Sequence, residues 1–358
     1  MRVRVSELAL FQAIVVLCAT FALVDANVGC LDENGQPVDW WIALKLPELS
    51  DSTFSPAQAG YAYVYMDKNH PSFTMGSTGL NVNLNGAIGG TLSQIYNADK
   101  TTTGYLMYND EDPSGSTHSS YGHTKGDVCF DDKSGFWLVH SVPRWPIYSD
   151  QNYGFPDDEK RYGQSFLCMT YATDSFNTIG DAFLLNKPYV YDSNLPTSLA
   201  SRLPNLQAVL DHKFVTTVPA NQTHQLTTVA GKSFLDFAKN ADWNSELYEN
   251  FVAPTLKSNL AVETWMNGSG PLNTSCRATG NNWDVLEIRN LTIDGNLITE
   301  TKDHSKWGIT ISPGKQWTCI GDINRMSHQE QRGGGTVCTS DSTIWDQFRG
   351  IITGSDRC

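Results

Sequence analysis

One pattern occurs twice, 181 residues apart, and it restricts the possible folds more than any other feature of the chain. His123-Thr-Lys125-Gly-Asp-Val-Cys-Phe130 runs through a Gly-containing turn at 131–135 into Phe136-Trp-Leu-Val-His140-Ser141. Downstream, His304-Ser-Lys306-Trp-Gly-Ile-Thr-Ile311 runs through Ser312-Pro-Gly-Lys315 into Gln316-Trp-Thr-Cys-Ile-Gly-Asp322-Ile-Asn324. Each is a strand, a turn and a second strand with Trp near its start, which is the grammar of a β-hairpin. Each first strand opens with His-x-Lys. A duplicated hairpin predicts an α/β fold with mixed sheets, built as two lobes that face each other across a pseudo-twofold axis.

Weaker signals divide the chain. The alternation of Tyr61, Tyr63 and Tyr65 with Ala62 and Val64, and the run Tyr105-Leu-Met-Tyr108, read as strands. Leu247, Phe251 and Val252 share one face of a helix that Asn244 or Ser245 would cap and that should end near Pro254. Pro188 to Pro196 is the best linker, giving lobes over 27–190 and 191–358.

Residues 1–26 stand apart. Arg2 and Arg4 precede an almost wholly apolar run from Leu8 to Leu23, and Val24-Asp25-Ala26 ends on a small residue. The run is short for a membrane span and has no basic stop-transfer flank, so a cleaved signal peptide is expected. Four glycosylation sequons, at Asn221, Asn267, Asn273 and Asn290, agree with the secretory route, and each predicts a surface loop if used. Without Cys18 of the leader, seven cysteines remain, an odd number that allows three disulfides and leaves one thiol. No Cys-x-x-Cys pair suggests structural zinc.

On a strand, side chains at i and i+2 share a face. His123 would project with Lys125, and His304 with Lys306; paired across a twofold, they place two imidazoles and two ammonium groups in one cleft. That inventory suits a phosphodiester. A neutral imidazole attacks phosphorus, a protonated one gives its proton to the leaving sugar oxygen, and the lysines neutralise the non-bridging oxygens as a metal would elsewhere. Either histidine can take either role, and activity should follow a bell-shaped pH curve. A single His-x-Lys is usually a solvated surface pair; two, each opening the same hairpin, are a much stronger signal. The residues alone leave DNA, RNA and phospholipid open as substrates. The formal charge of -13, which becomes -5 if all eight histidines protonate, makes acid conditions favourable for any polyanion.

Long segments resemble the deoxyribonuclease II family. They include Gly35-Gln-Pro-Val-Asp-Trp40 with Lys45-Leu-Pro47, Tyr108-Asn-Asp110, and Gly122-His-Thr-Lys-Gly126. Further along come Gly135-Phe-Trp-Leu-Val-His-Ser-Val-Pro143, Tyr162-Gly-Gln164 with Leu167-Cys168, and Asp303-His-Ser-Lys-Trp307. Trp317 to Arg325 and Glu330-Gln-Arg-Gly-Gly-Gly-Thr336 with Cys338 complete the set, which spans nearly all of the mature chain in matching order.

The resemblance implies two phospholipase-D-like lobes and an acid endonuclease of lysosomes or secretions. It also implies DNA as substrate, no divalent metal or other cofactor, and 3'-phosphate products. His304 takes the place of the family's essential histidine, with His123, Lys125 and Lys306 completing the paired motif. His140 matches a histidine of the family and is a candidate for supporting the site or for the buried core. Asp322 and Asn324 are candidates for orienting His304. The implied disulfides are Cys30–Cys168, Cys276–Cys358 and Cys319–Cys338, with Cys129 the odd thiol, packed beneath the first hairpin. The phospholipase D signature places Asp five residues after Lys, where this chain has Phe130 and Ile311, a departure that points to the nuclease branch.

Arg332 before Gly333-Gly-Gly335 is a candidate phosphate contact, although the glycines read as a plain turn. Asp131-Asp132 and Asp157-Asp-Glu159 lack calcium-loop spacing and read as solvated charges. Trp40, Trp41 and Trp145 are expected in the core rather than stacked on bases. Recognition should be of the DNA backbone, with little sequence preference. The rival from another class is a catalytically inactive secreted DNA-binding or toxin-like relative, whose mark would be loss of a motif residue. A lipid phosphodiesterase would want an amphipathic interfacial helix. Oligomeric state, monomer or homodimer, is left open.

Overall fold

The computed structural model describes residues 28–358 apart from 83, 217, 218 and 281. The signal peptide expected at 1–26 lies outside the described residues. Two large sheets organise the chain. The first contains β1 (Trp40–Lys45), β2 (Tyr63–Asp67), β3 (Thr74–Met75), β4 (Gly104–Asn109), β5 (Lys125–Phe130), β6 (Ser134–His140), β7 (Gln164–Ala172) and β8 (Val190–Asn194). The second contains β9 (Asn221–Thr227), β10 (Ser233–Lys239), β11 (Leu260–Glu263), β12 (Val285–Ile293), β13 (Asn296–Thr299), β14 (Trp307–Thr310), β15 (Trp317–Gly321), β16 (Gly334–Ser340) and β17 (Ile352–Ser355). The helices are α1 (Ser55–Gln58), α2 (Gly86–Tyr96), α3 (Ser175–Asn186), α4 (Thr197–Ala200), α5 (Pro204–Leu210), α6 (Ala253–Leu256) and α7 (Ser342–Ile351).

Aligned on the two hairpins, with an offset of one strand, the sheets share a spatial order over seven strands, although β8 pairs antiparallel with β4 where its counterpart β12 pairs parallel with β11. The first reads β8-β4-β5-β6-β7-β1-β2-β3 and the second β13-β12-β11-β14-β15-β16-β10-β9. The predicted hairpins β5–β6 and β14–β15 therefore occupy the same place, flanked by β4 or β11 on one side and β7 or β16 on the other. All these neighbours are antiparallel in both sheets. The order departs in connectivity: β1 precedes β2 in the chain, whereas its counterpart β10 follows β9.

Alternate residues of a strand point to opposite faces, and both faces of the first sheet are covered. Trp40, Ile42 and Leu44 of β1 enter a core shared with Leu226, Ile309 and Val337 of the second sheet and with Phe176, Ile179 and Phe183 of α3. Trp41 and Ala43 enter a separate core with Ile88 and Leu92 of α2. The far side of the second sheet packs Val262 and Cys319 against Leu247, Val252 and Leu256. Strands covered on both sides read as near-continuous apolar runs rather than as clean alternation. Trp40, Trp41 and Trp145 are buried, as expected.

Several expectations are corrected. Pro188 to Pro196 is not a linker, because Val190–Asn194 is β8 and pairs with β4. Sheet membership changes only between 194 and 221, after the 190/191 boundary. The helix near 250 begins as a π turn at Tyr248–Val252 and continues through Pro254 to Leu256. Proline is tolerated there because it sits at the seam: the π turn closes with the Ala253 N–H on the Tyr248 carbonyl, and Pro254 heads the single turn of α6, which needs no N–H from it. The capping acceptor is the Glu246 carboxylate, which takes the Glu249 N–H, rather than Asn244 or Ser245. Of the sequons, Asn267 and Asn273 lie in loops, whereas Asn221 opens β9 and Asn290 lies within β12.

The disulfides Cys30–Cys168, Cys276–Cys358 and Cys319–Cys338 are all formed. Cys129 is free and buried on β5, where burial drives its thiol well above the ordinary range; it is neither a nucleophile nor reachable by another subunit. No helix among the described residues is long and apolar enough to cross a membrane.

A buried histidine couples α3 to the second sheet. His224 on β9 contacts Asp236 of β10 through Nδ1 (3.0 Å) and Asp181 of α3 through Nε2 (3.2 Å). Burial alone would lower its pKa, but the bonds and charges of the two carboxylates outweigh burial and raise it above 6.5. The folded chain then holds this proton more tightly than the unfolded chain. The contribution, about 1.5–3 kcal/mol for hydrogen bonds to charged groups, is complete below the unfolded value and lost as pH rises through the folded one. The urea midpoint should fall between pH 5.5 and 8, and His224→Gln should flatten that fall. An unchanged slope in the variant would remove the assignment.

Candidate active site

The two motifs meet where the sheets adjoin, and each is anchored in the opposite sheet. The His123 N–H donates to the Gly333 carbonyl just before β16 (2.8 Å), and the His304 N–H donates to the Gly163 carbonyl just before β7 (2.9 Å). The Lys125 N–H donates to the Asp322 carboxylate (3.4 Å), and the Lys306 N–H to Ser165 Oγ (3.1 Å). Each motif histidine precedes its strand rather than lying in it: β5 begins at Lys125, so the first lysine opens the strand, whereas β14 begins only at Trp307 and leaves Lys306 just before it. Close backbone approach makes this exchange feasible. A Cβ at Gly333 would lie 2.1 Å from the Asn186 carbonyl oxygen, and one at Gly122 would lie 1.9 Å from the same atom. The triple glycine is therefore a packing requirement at the start of β16, not a plain turn.

Both imidazoles have a defined tautomer. His123 Nδ1–H donates to the Asp322 carbonyl (2.7 Å). His304 Nδ1–H donates to Gln164 Oε1 (3.2 Å). Gln164 is itself fixed: its Nε2 donates to Glu159 (3.0 Å) and its Oε1 also accepts from Ser141 Oγ (2.5 Å). With Nδ1 committed as donor, Nε2 of each neutral ring carries the free lone pair. The rings of Trp265 and Tyr162 pack around His304, at centroid distances of 4.9 and 6.4 Å.

The charges are concentrated and buried. Lys125 and Lys306 are fully buried, His123 is buried and His304 half-buried. Burial, followed by Lys306, Lys125 and His123, holds His304 well below its ordinary pKa. Burial also depresses His123, opposed by the Asp110 carboxylate and reinforced by Lys125, Arg332 and Lys306. Lys306 lies well below the usual ammonium range through burial first and the Lys125 charge second. Burial would raise Asp110, but His123, Lys125 and Arg332 override it and hold it ionised. Burial pushes Asp322 up to about 7, against the opposing charge of Lys125.

The four motif side chains are thus brought together, while the supporting residues differ from expectation. Asp322 orients His123 rather than His304, because each ring is held from across the junction. No hydrogen bond of either imidazole runs to His140 or Asn324 among the described residues. His140 is core: its Nδ1 accepts from the Val142 N–H (3.2 Å) and its ring lies edge-on to Trp145. Asn324 donates its N–H to Gln329 Oε1 (2.6 Å). Arg332 is not a free phosphate contact. Its guanidinium bonds Asp110 (2.9 Å) and the carbonyls of Tyr121 and Gly122, securing the approach to His123.

Sequence reasoning missed Asp110, whose carboxylate pairs with the Lys125 ammonium, together with Ser141, Glu159, Gln164, Ser165 and Trp265. Asp110 and Gln164 stood inside segments that carried the resemblance, but no spacing tied them to either histidine. Among the described residues, no three His, Cys, Asp or Glu side chains converge as a metal site.

The family model for deoxyribonuclease II matches residues 29–358. The chain is 40% identical to Plancitoxin-1 of Acanthaster planci over 351 residues, covering 97% of each chain. It is 36% identical to Deoxyribonuclease-2-alpha of Rattus norvegicus, over 92% of this chain and 95% of the relative. Deoxyribonuclease-2 of Caenorhabditis elegans is 37% identical, over 92% and 93%. A match of this extent, over a chain whose two His-x-Lys segments are anchored reciprocally, shows that the protein belongs to the deoxyribonuclease II family.

Proposed function

We propose that this chain is a metal-independent acid endonuclease. It would hydrolyse DNA to 3'-phosphate ends through a phosphohistidine, acting in lysosomes or after secretion. The observation that carries the reading is the reciprocal anchoring of the two His-x-Lys segments, which gathers two imidazoles and two buried ammonium groups at one junction. The shared strand order of the sheets supports two phospholipase-D-like lobes related by a pseudo-twofold axis.

The roles of the histidines follow from the one carboxylate that breaks the symmetry. Asp110 favours the protonated form of His123, whereas the charges nearest His304 all oppose its protonation. His304 Nε2 therefore attacks phosphorus, the P–O5' bond breaks, and His123 Nε2–H gives its proton to O5'. Water then attacks phosphorus and passes a proton to His123, and the P–N bond breaks to release the 3'-phosphate and neutral His304. Lys125 and Lys306 stabilise the charge on the non-bridging oxygens. His140 and Asn324 take no part in these steps, and Asp322 positions His123.

Acid dependence has the right sign. Lys306, depressed by burial, gains its positive charge as pH falls, and Asp322, raised to about 7, loses its negative charge as pH falls through that value. Both changes make the site a better phosphate receptor, and histidine protonation reduces the overall charge of -13. The family's DNA substrate should be held through its backbone. The inactive toxin-like alternative finds no support in the motif, since all four residues are present and assembled.

Plasmid nicking by the mature protein should be at least tenfold faster at pH 5 than at pH 7.5, by about 1.4 kcal/mol of transition-state binding, and unchanged by excess EDTA. Loss of nicking in EDTA would end the metal-free reading.

A further inference from the structure

Outside the motif, two more lysines are buried, and the same symmetry relates them. Lys45 ends β1 and Lys239 ends β10, strands that hold the same place relative to the two hairpins, each beside the strand that follows its hairpin. In register, Lys45 faces Gln164, the first residue of β7, and Lys239 faces Gly334, the first residue of β16. Both side chains are almost fully buried. The Lys45 ammonium donates to the carbonyls of Leu46 (3.0 Å), Lys160 (2.9 Å) and Tyr162 (2.6 Å). The Lys239 ammonium donates to those of Gln329 (3.1 Å), Glu330 (2.9 Å) and Arg332 (2.5 Å).

An ammonium has three donors, and here all three meet backbone carbonyls. Two of the acceptors correspond position by position. Lys160 and Tyr162 lie three and one residues before Gly163, and Glu330 and Arg332 lie three and one before Gly333. Those glycines are the residues whose carbonyls receive the backbone N–H of His304 and His123 respectively. Burial lowers Lys45 to about 7 and Lys239 to about 8, so below neutral pH both are charged with every donor available. Burying two ammonium groups is costly, and a loop needing only a fixed shape could be held by neutral side chains.

We propose that Lys45 and Lys239 are positioning residues for the reaction: each clamps the loop on its own sheet that seats the histidine contributed by the other. Lys45 governs His304, and Lys239 governs His123. The clamp geometry stands independently of the chemistry, while its consequence for turnover rests on the proposed nuclease reading. A displacement of about 1 Å at a reacting group costs on the order of a hundredfold in rate, so loss of either clamp should lower kcat far more than it changes KM.

The test uses full-length mature protein carrying Lys45→Met, Lys239→Met or the milder Lys→Gln at each position, with ¹³C-labelled histidine side chains. Two readouts are taken: plasmid nicking at pH 5, and the NMR spectra of the assigned histidines titrated over pH. Lys45→Met is expected to shift the His304 resonance and leave that of His123. Lys239→Met is expected to do the reverse, and each should lose at least about tenfold in kcat with KM within twofold. If a Met variant does not fold, the Gln variant carries the same expectation with smaller shifts. Shifts of both histidines together, of neither, or kcat losses that only track the unfolded fraction would overturn the proposal. The crossed shifts without any nicking in the unsubstituted protein would instead keep the clamps and remove the nuclease reading.

Discussion

His304→Ala should abolish DNA cleavage at every pH, with an expected loss of at least about ten-thousand-fold, the scale on which removal of a nucleophile is felt. The companion variant His123→Ala separates the two histidines. It should lose about a hundred- to ten-thousand-fold on DNA, where O5' leaves as a poor leaving group and needs a proton. On a p-nitrophenyl ester of thymidine 3'-phosphate the leaving group needs no acid, so the first step should survive. The second step lacks its base, and the expected result is a stoichiometric burst of nitrophenol with phosphate trapped on His304. His304→Ala should show neither burst nor trapped phosphate. Trapping in the His304 variant instead would exchange the roles, and trapping in neither would point to direct attack by water. The assignment rests on Asp110: without that carboxylate beside His123, the charges around the two rings would be nearly equivalent.

The duplicated hairpin was the most legible part of the molecule because it combines local periodicity with an unusual chemical pair. Two strands, a turn and their order require only neighbouring residues, and both hairpins form, with their first strands starting at Lys125 and Trp307 rather than at the histidines. What the spacing could not carry was which element stands opposite which. Asp322 was expected to serve His304 because it lies close in sequence. The fold exchanges anchors across the junction, so Asp322 serves His123, 199 residues away. The Gln164–His304 contact spans 140 residues and depends on the β1–β7 register. Pro188 to Pro196 carried the composition of a linker and became β8, since its strand character comes from pairing with β4 rather than from its own residues. Pro254 marked the helix end to within two residues, since α6 stops at Leu256. The burial of Lys45 and Lys239 was equally hidden, as lone lysines at strand ends ordinarily face solvent.

Asp110→Asn should be the most destabilising single change near the site. The Asp110 carboxylate is buried at the end of β4 and faces two cations, the fully buried Lys125 and the largely buried Arg332. Removing the charge while keeping the shape leaves both cations without their carboxylate, and uncompensated buried charge costs about 3–5 kcal/mol. Against a total of roughly 5–15 kcal/mol for a folded protein, that is a large fraction. The urea midpoint should fall accordingly with an unchanged denaturant slope. Arg332 also secures the carbonyls of Tyr121 and Gly122, so the backbone entering His123 should loosen as well. The catalytic consequence has a defined sign. Asp110 is the group that favours proton uptake by His123, so its loss lowers that pKa further and makes leaving-group protonation harder at any given pH. The surviving folded enzyme should have a lower kcat on DNA and a pH optimum moved to more acid values, with the p-nitrophenyl ester much less affected. A variant with unchanged stability would mean that Lys125 and Arg332 find other partners. A variant equally slow on both substrates would mean that Asp110 acts through packing rather than through the charge of His123.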